Sequence, residues 1–460
     1  MKEQGDIAHG FYSRWGVMSI AHCPLNVGHS PQPAIYHCAL NMTQLTSMTP
    51  TPLDSYRQQF SIPDGVIYLD GNSLGVLPKA TAAAVAKTVE QEWGNGLIRS
   101  WNTADWVNAP RRCGDKYARL IGANAGEVIA CDTTSVNLFK ALLTALTLQE
   151  KFPERRIIVS DIDNFPTDLY IAQGIRDWLV HKNIELQCVK REAMEATISA
   201  CGERCAVVML TEVDYRTGER YDMAKITALA QSKGALMLWD LAHSTGAFPV
   251  QLNACNVDLA VGCGYKYVNG GPGAPAFIFA AKRHLDELDA TEACAPISGW
   301  FAHAAPFAFD PTFRVAQGIE RFTVGTPSIL NFAALEVALD LWLTVDISAV
   351  RAASVKLTER FIREVEGACA GHGLALATPR DASIRGSQVS FRHAEGFAIM
   401  QALIARGVIG DFRAPDILRF GFTPLYINED DVVKAVVHFR EVMVGREYER
   451  AEFRSRGKVT

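Results

Sequence analysis

Lys266 stands between two tyrosines in GCGYKYVNGGPG (residues 262–273), a stretch that closes on glycines broken by one proline. The apolar segments NVDLAV (256–261) and APAFIFA (274–280) flank it and read as strands. A solvated lysine needs no such setting. Glycines of this kind remove side chains where something flat is to approach the backbone. Asp240 ends the apolar run ALMLWD (235–240), a buried strand in which a carboxylate is costly unless paired. Open α/β sheets bind ligands at the carboxyl ends of their strands. Asp240 and Lys266, on two such ends, can therefore face one pocket. There a carboxylate can hold a protonated ring nitrogen, and a lysine can condense with an aldehyde. His243, just past Asp240, can lie beside the ring. DTTS (132–135) adds hydroxyls and free N–H groups at a helix start, a setting that suits phosphate. Together these features describe a site for pyridoxal 5'-phosphate.

The elements that must carry these residues alternate between apolar strands and helices. VIYLD (66–70), RRIIVS (155–160), CAVVMLT (205–211) and ALMLWD read as strands. Pro78 opens an alanine-rich helix over 79–93. Further helices are expected at 134–147, 168–179 and 222–234, the last with Asp222 as cap and Gly234 as stop. Such alternation predicts an α/β fold with a mostly parallel central sheet flanked by helices. After residue 326 two long helices (327–345 and 348–371) precede mixed strand and helix, a smaller α+β C-terminal domain. The expected division is an N-terminal extension at 1–47, disordered or preceding the true start, a cofactor-binding domain at 48–325 and a small domain at 326–460.

Composition narrows the function classes. The 460 residues carry a net charge of −5 and are 48% hydrophobic and 21% charged, which gives no sign of a nucleic-acid or anionic-membrane partner. No apolar run approaches the roughly 20 residues that span a bilayer. The N-terminus lacks a basic start followed by an apolar core, so no secretory signal is expected. The 11 cysteines follow no framework or zinc spacing, which points to reduced thiols in the cytoplasm and no metal. GNSLG (71–75) matches the nucleophile elbow of serine hydrolases, with Ser73 as nucleophile, but it follows a single strand and lacks the usual oxyanion segment. A glycine-flanked turn with Ser73 facing a ligand is the preferred reading.

YLDGNSLG, NFPTD (164–168), WDLAHS (239–244), GYKYVNGGPG, SGWFAH (298–303) and ILRFGFTPLYIN (417–428), in this order, resemble kynureninase, a fold-type-I pyridoxal-phosphate hydrolase. The likeness runs from about residue 52 to 450. It implies cleavage of L-kynurenine, and also of 3-hydroxykynurenine, between Cβ and Cγ, giving anthranilate (or its 3-hydroxy form) and L-alanine in tryptophan catabolism. It implies that Lys266 links to the cofactor aldehyde, Asp240 pairs with the pyridine nitrogen and His243 lies nearby. Phe165 would stack on the ring with Asp168 close to it, and Thr211 would line the cofactor. Thr133, Thr134 and Tyr265 would hold the phosphate end, Tyr265 also serving as proton donor. Arg419 would clamp the substrate carboxylate, with Ser73 and Trp101 on the substrate side. Family members form a homodimer with the site at the interface, so Trp300 and Thr326 would reach across from the partner. Trp101 and Thr326 resemble the bacterial form of the site, which favours kynurenine over its 3-hydroxy derivative. Rival readings are a cysteine desulfurase or selenocysteine lyase, whose usual histidine before the lysine is here Tyr265, and a non-catalytic cofactor-binding protein.

Overall fold

Apolar runs without polar alternation form the strands at the centre of the molecule, because helices cover both of their faces. The computed structural model describes residues 53–455, and the expected extension at 1–47 lies outside them. Strand β1 is Ile67–Tyr68, β2 Val128–Ala130, β3 Ile157–Asp161, β4 Glu185–Val189, β5 Cys205–Thr211, β6 Leu236–Asp240, β7 Leu259–Gly262 and β8 Phe277–Ala280. The central sheet has seven strands in the order β2-β8-β7-β6-β5-β3-β4. Pairing is parallel from β4 through β3, β5 and β6 to β7, while β8 runs antiparallel to both β7 and β2. Every residue of β5 is buried, which explains why CAVVMLT reads as an unbroken apolar run. The carboxyl ends of three neighbouring parallel strands carry Asp161, Thr211 and Asp240, each buried. The polar groups thus gather along one edge of an otherwise dry sheet.

The C-terminal part opens with the helices Ile329–Trp342 and Ile347–Ala368. It then builds a second sheet, with β9 Ala375–Leu376, β10 Gln388–Arg392, β11 Val408–Ile409, β12 Asp411–Arg413 and β13 Ile417–Gly421. Four of these form an antiparallel sheet in the order β9-β10-β13-β12. The remaining strand, β11, pairs in parallel with β1 from the start of the described chain. Leu69 N–H donates to Ile409 O and Gly421 N–H to Leu69 O, both at 2.7 Å. The GNSLG turn is therefore pinned to the C-terminal sheet, although it lies more than three hundred residues away in sequence.

Two local expectations change in the structure. The helix expected over 79–93 keeps α geometry only through Lys87, and from Thr88 to Gly96 its winding loosens to a π-helix. The physical cause is a hydroxyl inserted into the ladder: Ser100 Oγ donates to Glu92 O at 2.6 Å. The VIYLD strand is regular only over Ile67–Tyr68, with a further single bridge from Asp70 to Gly421 before the chain turns toward the Lys266 loop.

That turn and the lysine loop are in backbone contact. Gly75 N–H donates to Tyr265 O at 2.7 Å, and Asn269 Nδ2 donates to Val76 O at 3.0 Å. A Cβ on Gly75 would run into Lys266 O and lie 2.7 Å from Asn269 Cα, both backbone atoms with no freedom to withdraw. Gly75→Ala is expected to destabilise the protein by about 1–3 kcal/mol through forced overpacking, read as a lower urea midpoint. Gly174→Ala, on an exposed helix position with nothing within 4 Å of the added carbon, is expected to be neutral or to stabilise by up to about 1 kcal/mol.

Candidate active site

Two helix starts and three strand ends converge on one cleft. It holds ≈ 490 Å³ of empty space, part of it open to solvent, and among its walls are Thr134, Ser135, Phe165, Asp168, Thr211, Asp240, His243, Tyr265 and Lys266. β6 and β7 are parallel neighbours, with Asp240 opposite Val261, so the Asp240 end and the loop carrying Lys266 leave the sheet at the same edge. Lys266 Nζ lies 5.9 Å from the Phe165 ring centroid and 5.8 Å from that of Tyr265. It makes no hydrogen bond or ion pair among the described residues. Phe165 packs edge-on against Tyr215, with ring centroids 5.3 Å apart.

Asp240 and Asp168 share the floor of the cleft. Asp240 Oδ1 accepts from Ala242 N–H at 2.7 Å. Thr211 Oγ1 lies 3.2 Å from Asp168 Oδ2 and also bonds Asn164. Burial pushes both carboxyls up, and for Asp168 the neighbouring Asp240 charge adds to the effect. Lys266 and a hydrogen bond from Asp168 work the other way on Asp240. Burial and their mutual repulsion thus favour a single negative charge on the pair, and the neighbouring Lys266 favours the charged form of Asp240. Burial first, then the positive charges of Lys266, Arg419 and Arg413, hold His243 well below its ordinary value, so its imidazole is neutral. Burial, then Cys263 and Asp240, pushes the Tyr265 phenol up, so it keeps its proton.

The helix Thr134–Gln149 gives the cleft its third wall. Thr133 is its N-cap and accepts from Val136 N–H at 3.4 Å. Asp132, in the left-handed region at φ 47°, pairs with the wholly buried Lys140 at 2.7 Å, which anchors the helix start. Thr134 and Ser135 line the cleft, whereas the Thr133 hydroxyl is taken up in capping.

These residues match pyridoxal phosphate part by part. An unbonded amine is available for the aldehyde, and a singly charged carboxyl pair for a protonated pyridine. A helix start with two lining hydroxyls suits the phosphate. Among the described residues His243 Nδ1 is buried with no hydrogen-bond partner, as expected of a ring that awaits a neighbour. The glycines of the lysine loop also serve a second purpose. A Cβ on Gly264 would strike Tyr117, one on Gly270 would lie 2.8 Å from Gly264 O, and Gly271 and Gly273 adopt φ of 89° and 72°. They allow the loop to pack on its own protein and to turn.

Besides Thr133, five of the residues expected in the site line no part of this cleft. Trp101 packs on Trp106 and Phe301, and Trp300 on Phe301, Phe307 and Phe309, in a separate aromatic group. Thr326 is exposed. Ser73 and Arg419 belong to a polar corner together with Asp411 and Arg413 of β12. Asp411 and Arg419 stand directly opposite each other in the β12–β13 register. Neither Asp411 nor Arg413 was singled out from the sequence. The available signal was the short hairpin DFRAPDILR (411–419), whose register sets the first acid against the last arginine. Among the described residues no cluster suits a metal ion, and no helix is long and apolar enough to cross a membrane.

Residues 350–439 match the model of the kynureninase C-terminal domain. Kynureninase of Burkholderia pseudomallei (strain 1106a) is 50% identical over 410 residues, 89% of this chain and 97% of that protein. Kynureninase of Pseudomonas fluorescens is 48% identical over 405 residues, 88% of this chain and 95% of that protein. Solved structures of the same fold include the apo cysteine desulfurase of Thermococcus onnurineus NA1, with TM-score 0.70, 18% identity, and coverage of 85% of this chain and 98% of that one. Another is a C-DES variant with glycine covalently linked to its PLP cofactor, with TM-score 0.72, 19% identity, and coverage of 84% of this chain and 99% of that one.

The polar corner imposes a measurable pH dependence. Asp70, half-buried but with its Oδ1 buried and unpartnered among the described residues, is pushed up to about 8 by burial and then by Asp411, against the pull of Arg419, Ser73 and Arg413. Tyr68, Tyr267 and Tyr426 also face it. Between about pH 4 and about pH 8 the unfolded chain gives up this proton while the folded chain keeps it. The stability that Asp70 contributes is therefore complete below about pH 4 and is lost progressively as pH rises through about 8. Asp70→Asn removes that dependence. Its urea midpoint is expected to gain on the wild type steadily from pH 5 to pH 8, then to hold a constant lead.

Proposed function

The chain belongs to the kynureninase family, and on that footing we propose that it hydrolyses L-kynurenine, and 3-hydroxykynurenine as a second substrate, to anthranilate or its 3-hydroxy form and L-alanine. It is a hydrolytic enzyme that acts on a carbon–carbon bond with pyridoxal phosphate. The observation that carries the residue assignment is the convergence of Lys266, Asp240, Asp168 and His243 in one cleft beside a helix start. When bound, pyridoxal phosphate supplies an electron sink for the bonds broken at Cα and Cβ.

The chain's own residues divide the remaining work. The Asp240 carboxylate, whose charged form Lys266 and Asp168 favour, would hold the ring nitrogen protonated. Phe165 and the neutral His243 would flank the ring. Thr134, Ser135 and the N–H groups of their helix would hold the phosphate, with Thr133 stabilising that helix start and Thr211 fixing Asp168. Lys266 Nζ would take the proton from the substrate Cα. Tyr265, whose phenol keeps its proton through burial, would donate one when the Cβ–Cγ bond breaks after water adds to the γ-carbonyl. The corner of Ser73 and Arg419 would supply positive charge for the α-carboxylate.

A homodimer in the cytoplasm completes the proposal. Trp300, Phe307 and Phe309 are 41%, 53% and 76% exposed and form one aromatic patch, which favours a partner surface. Trp101, Trp300 and Thr326 would then serve the neighbouring subunit's site. The nine described cysteines are all free, in keeping with a reducing compartment.

The rival readings fare worse against the geometry. No described cysteine lines the cleft, which leaves a desulfurase without its sulfur carrier. Ser73 Oγ donates to Asp411 at 2.6 Å and accepts from Arg419 at 2.7 Å. Burial pushes Asp411 up, but the two arginines outweigh it and hold the carboxyl below its ordinary range, so it is a poor base for a nucleophilic serine. The test is fluorescence of anthranilate released from kynurenine. Lys266→Ala is expected to lose the visible band of the holoenzyme and to lower anthranilate release by at least about a thousandfold. An unchanged band would remove Lys266 from its role, and activity on cysteine with none on kynurenine would remove the substrate assignment.

A further inference from the structure

Arg419 has little left to offer a ligand. It is 1% exposed. Its Nε donates to Asp411 Oδ1 at 2.8 Å and its Nη2 to the other Asp411 oxygen, so one edge of the fork is filled. Nη2 also donates to Ser73 Oγ at 2.7 Å, and Nη1 to Tyr215 O at 2.6 Å. A guanidinium has five N–H bonds, and these contacts leave one, on Nη1. A carboxylate that needs two parallel N–H donors cannot find them on Arg419 alone.

Arg413 complements it. The Arg413 side chain is 36% exposed. Its Nη2 reaches Asp411 Oδ2 at 2.6 Å and Ser73 Oγ at 3.2 Å. Its Nε has no hydrogen-bond partner, and its Nη1 makes no hydrogen bond among the described residues. The Arg413 charge is felt by His243, Tyr265 and Tyr215, all of which line the cleft. Two guanidiniums thus face one ionised carboxylate, Asp411, because Asp70 keeps its proton below about pH 8. The corner carries a net positive charge at the cleft's edge, which suits an anion.

We propose that Arg413 is a substrate-contact residue, the second guanidinium of the α-carboxylate site, and that Asp411 is the positioning residue that holds Arg413, Arg419 and Ser73 in register. This proposal rests on the kynurenine reading for the identity of the substrate, but not for the class of ligand, which is any α-amino carboxylate. A displaced or shared contact at Asp411 Oδ2 would let Arg413 turn its free N–H groups toward the ligand while Arg419 adds the remaining one.

The test compares ligands with and without the carboxylate on holoenzyme, wild type against Arg413→Gln and Arg413→Lys. Kynurenine turnover gives KM and kcat. L-alanine and ethylamine, titrated against the visible band, give affinities for an amino carboxylate and for the bare amine. Arg413→Gln is expected to raise KM about tenfold or more with kcat within about threefold. The same change should weaken L-alanine in proportion and leave ethylamine unchanged, while Arg413→Lys recovers part of the loss. An equal loss for L-alanine and ethylamine would make Arg413 merely structural, and no loss for either would remove it from the site; both overturn the proposal. If the wild type releases no anthranilate, the kynurenine reading fails, and the ratio of alanine to ethylamine affinities still decides Arg413.

Discussion

A carboxylate cannot remain charged at the end of a buried strand unless something balances it, and Asp240 is such a carboxylate. Its neighbours answer that demand in three ways. Ala242 donates a backbone hydrogen bond, Asp168 favours the charged form of Asp240, and Lys266 brings a positive charge to the same cleft. Each of these depends on a distinct part of the fold: the turn after β6, the helix that begins at Pro166, and the loop after β7. The positions of the central strands are in this sense subordinate to one negative charge. A cationic ring above Asp240 would complete a balance that the protein alone leaves open.

The polar corner applies the same logic with the signs reversed. Two arginines there share one ionised acid, and the second acid, Asp70, is kept neutral by burial and by that same neighbour. Charge is therefore partitioned: a net negative floor beneath the ring site and a net positive rim beside it. An α-amino acid whose nitrogen is held near Lys266 and whose carboxylate points to the rim would meet both fields in the favourable direction.

Much of this was legible in the sequence. The strand ends Thr211 and Asp240 follow from apolar runs that stop at a polar residue, and the helix starts follow from cap residues. The glycines around Lys266 also serve loop packing and left-handed turns, which the sequence alone does not show. The rim was less legible. Asp411 and Arg413 depend on a cross-strand register and on β1 pairing with β11, and neither relation has a local signature. The π-helical stretch at 88–96 likewise depends on a hydroxyl from Ser100, outside the helix itself. At 18–19% identity the solved neighbours share the architecture. Tyr265 stands directly before the lysine, and none of the described cysteines lines the cleft.

The pairing of β1 with β11 has a further consequence for how the molecule is made. Ile67 leaves the ribosome 341 residues ahead of its partner Val408. At ordinary synthesis rates the first strand waits roughly twenty to seventy seconds for the edge it belongs to. Until that edge forms, the segment leading into the GNSLG turn lacks the two backbone hydrogen bonds, through Leu69 to Ile409 and Gly421, that pin it to the C-terminal sheet.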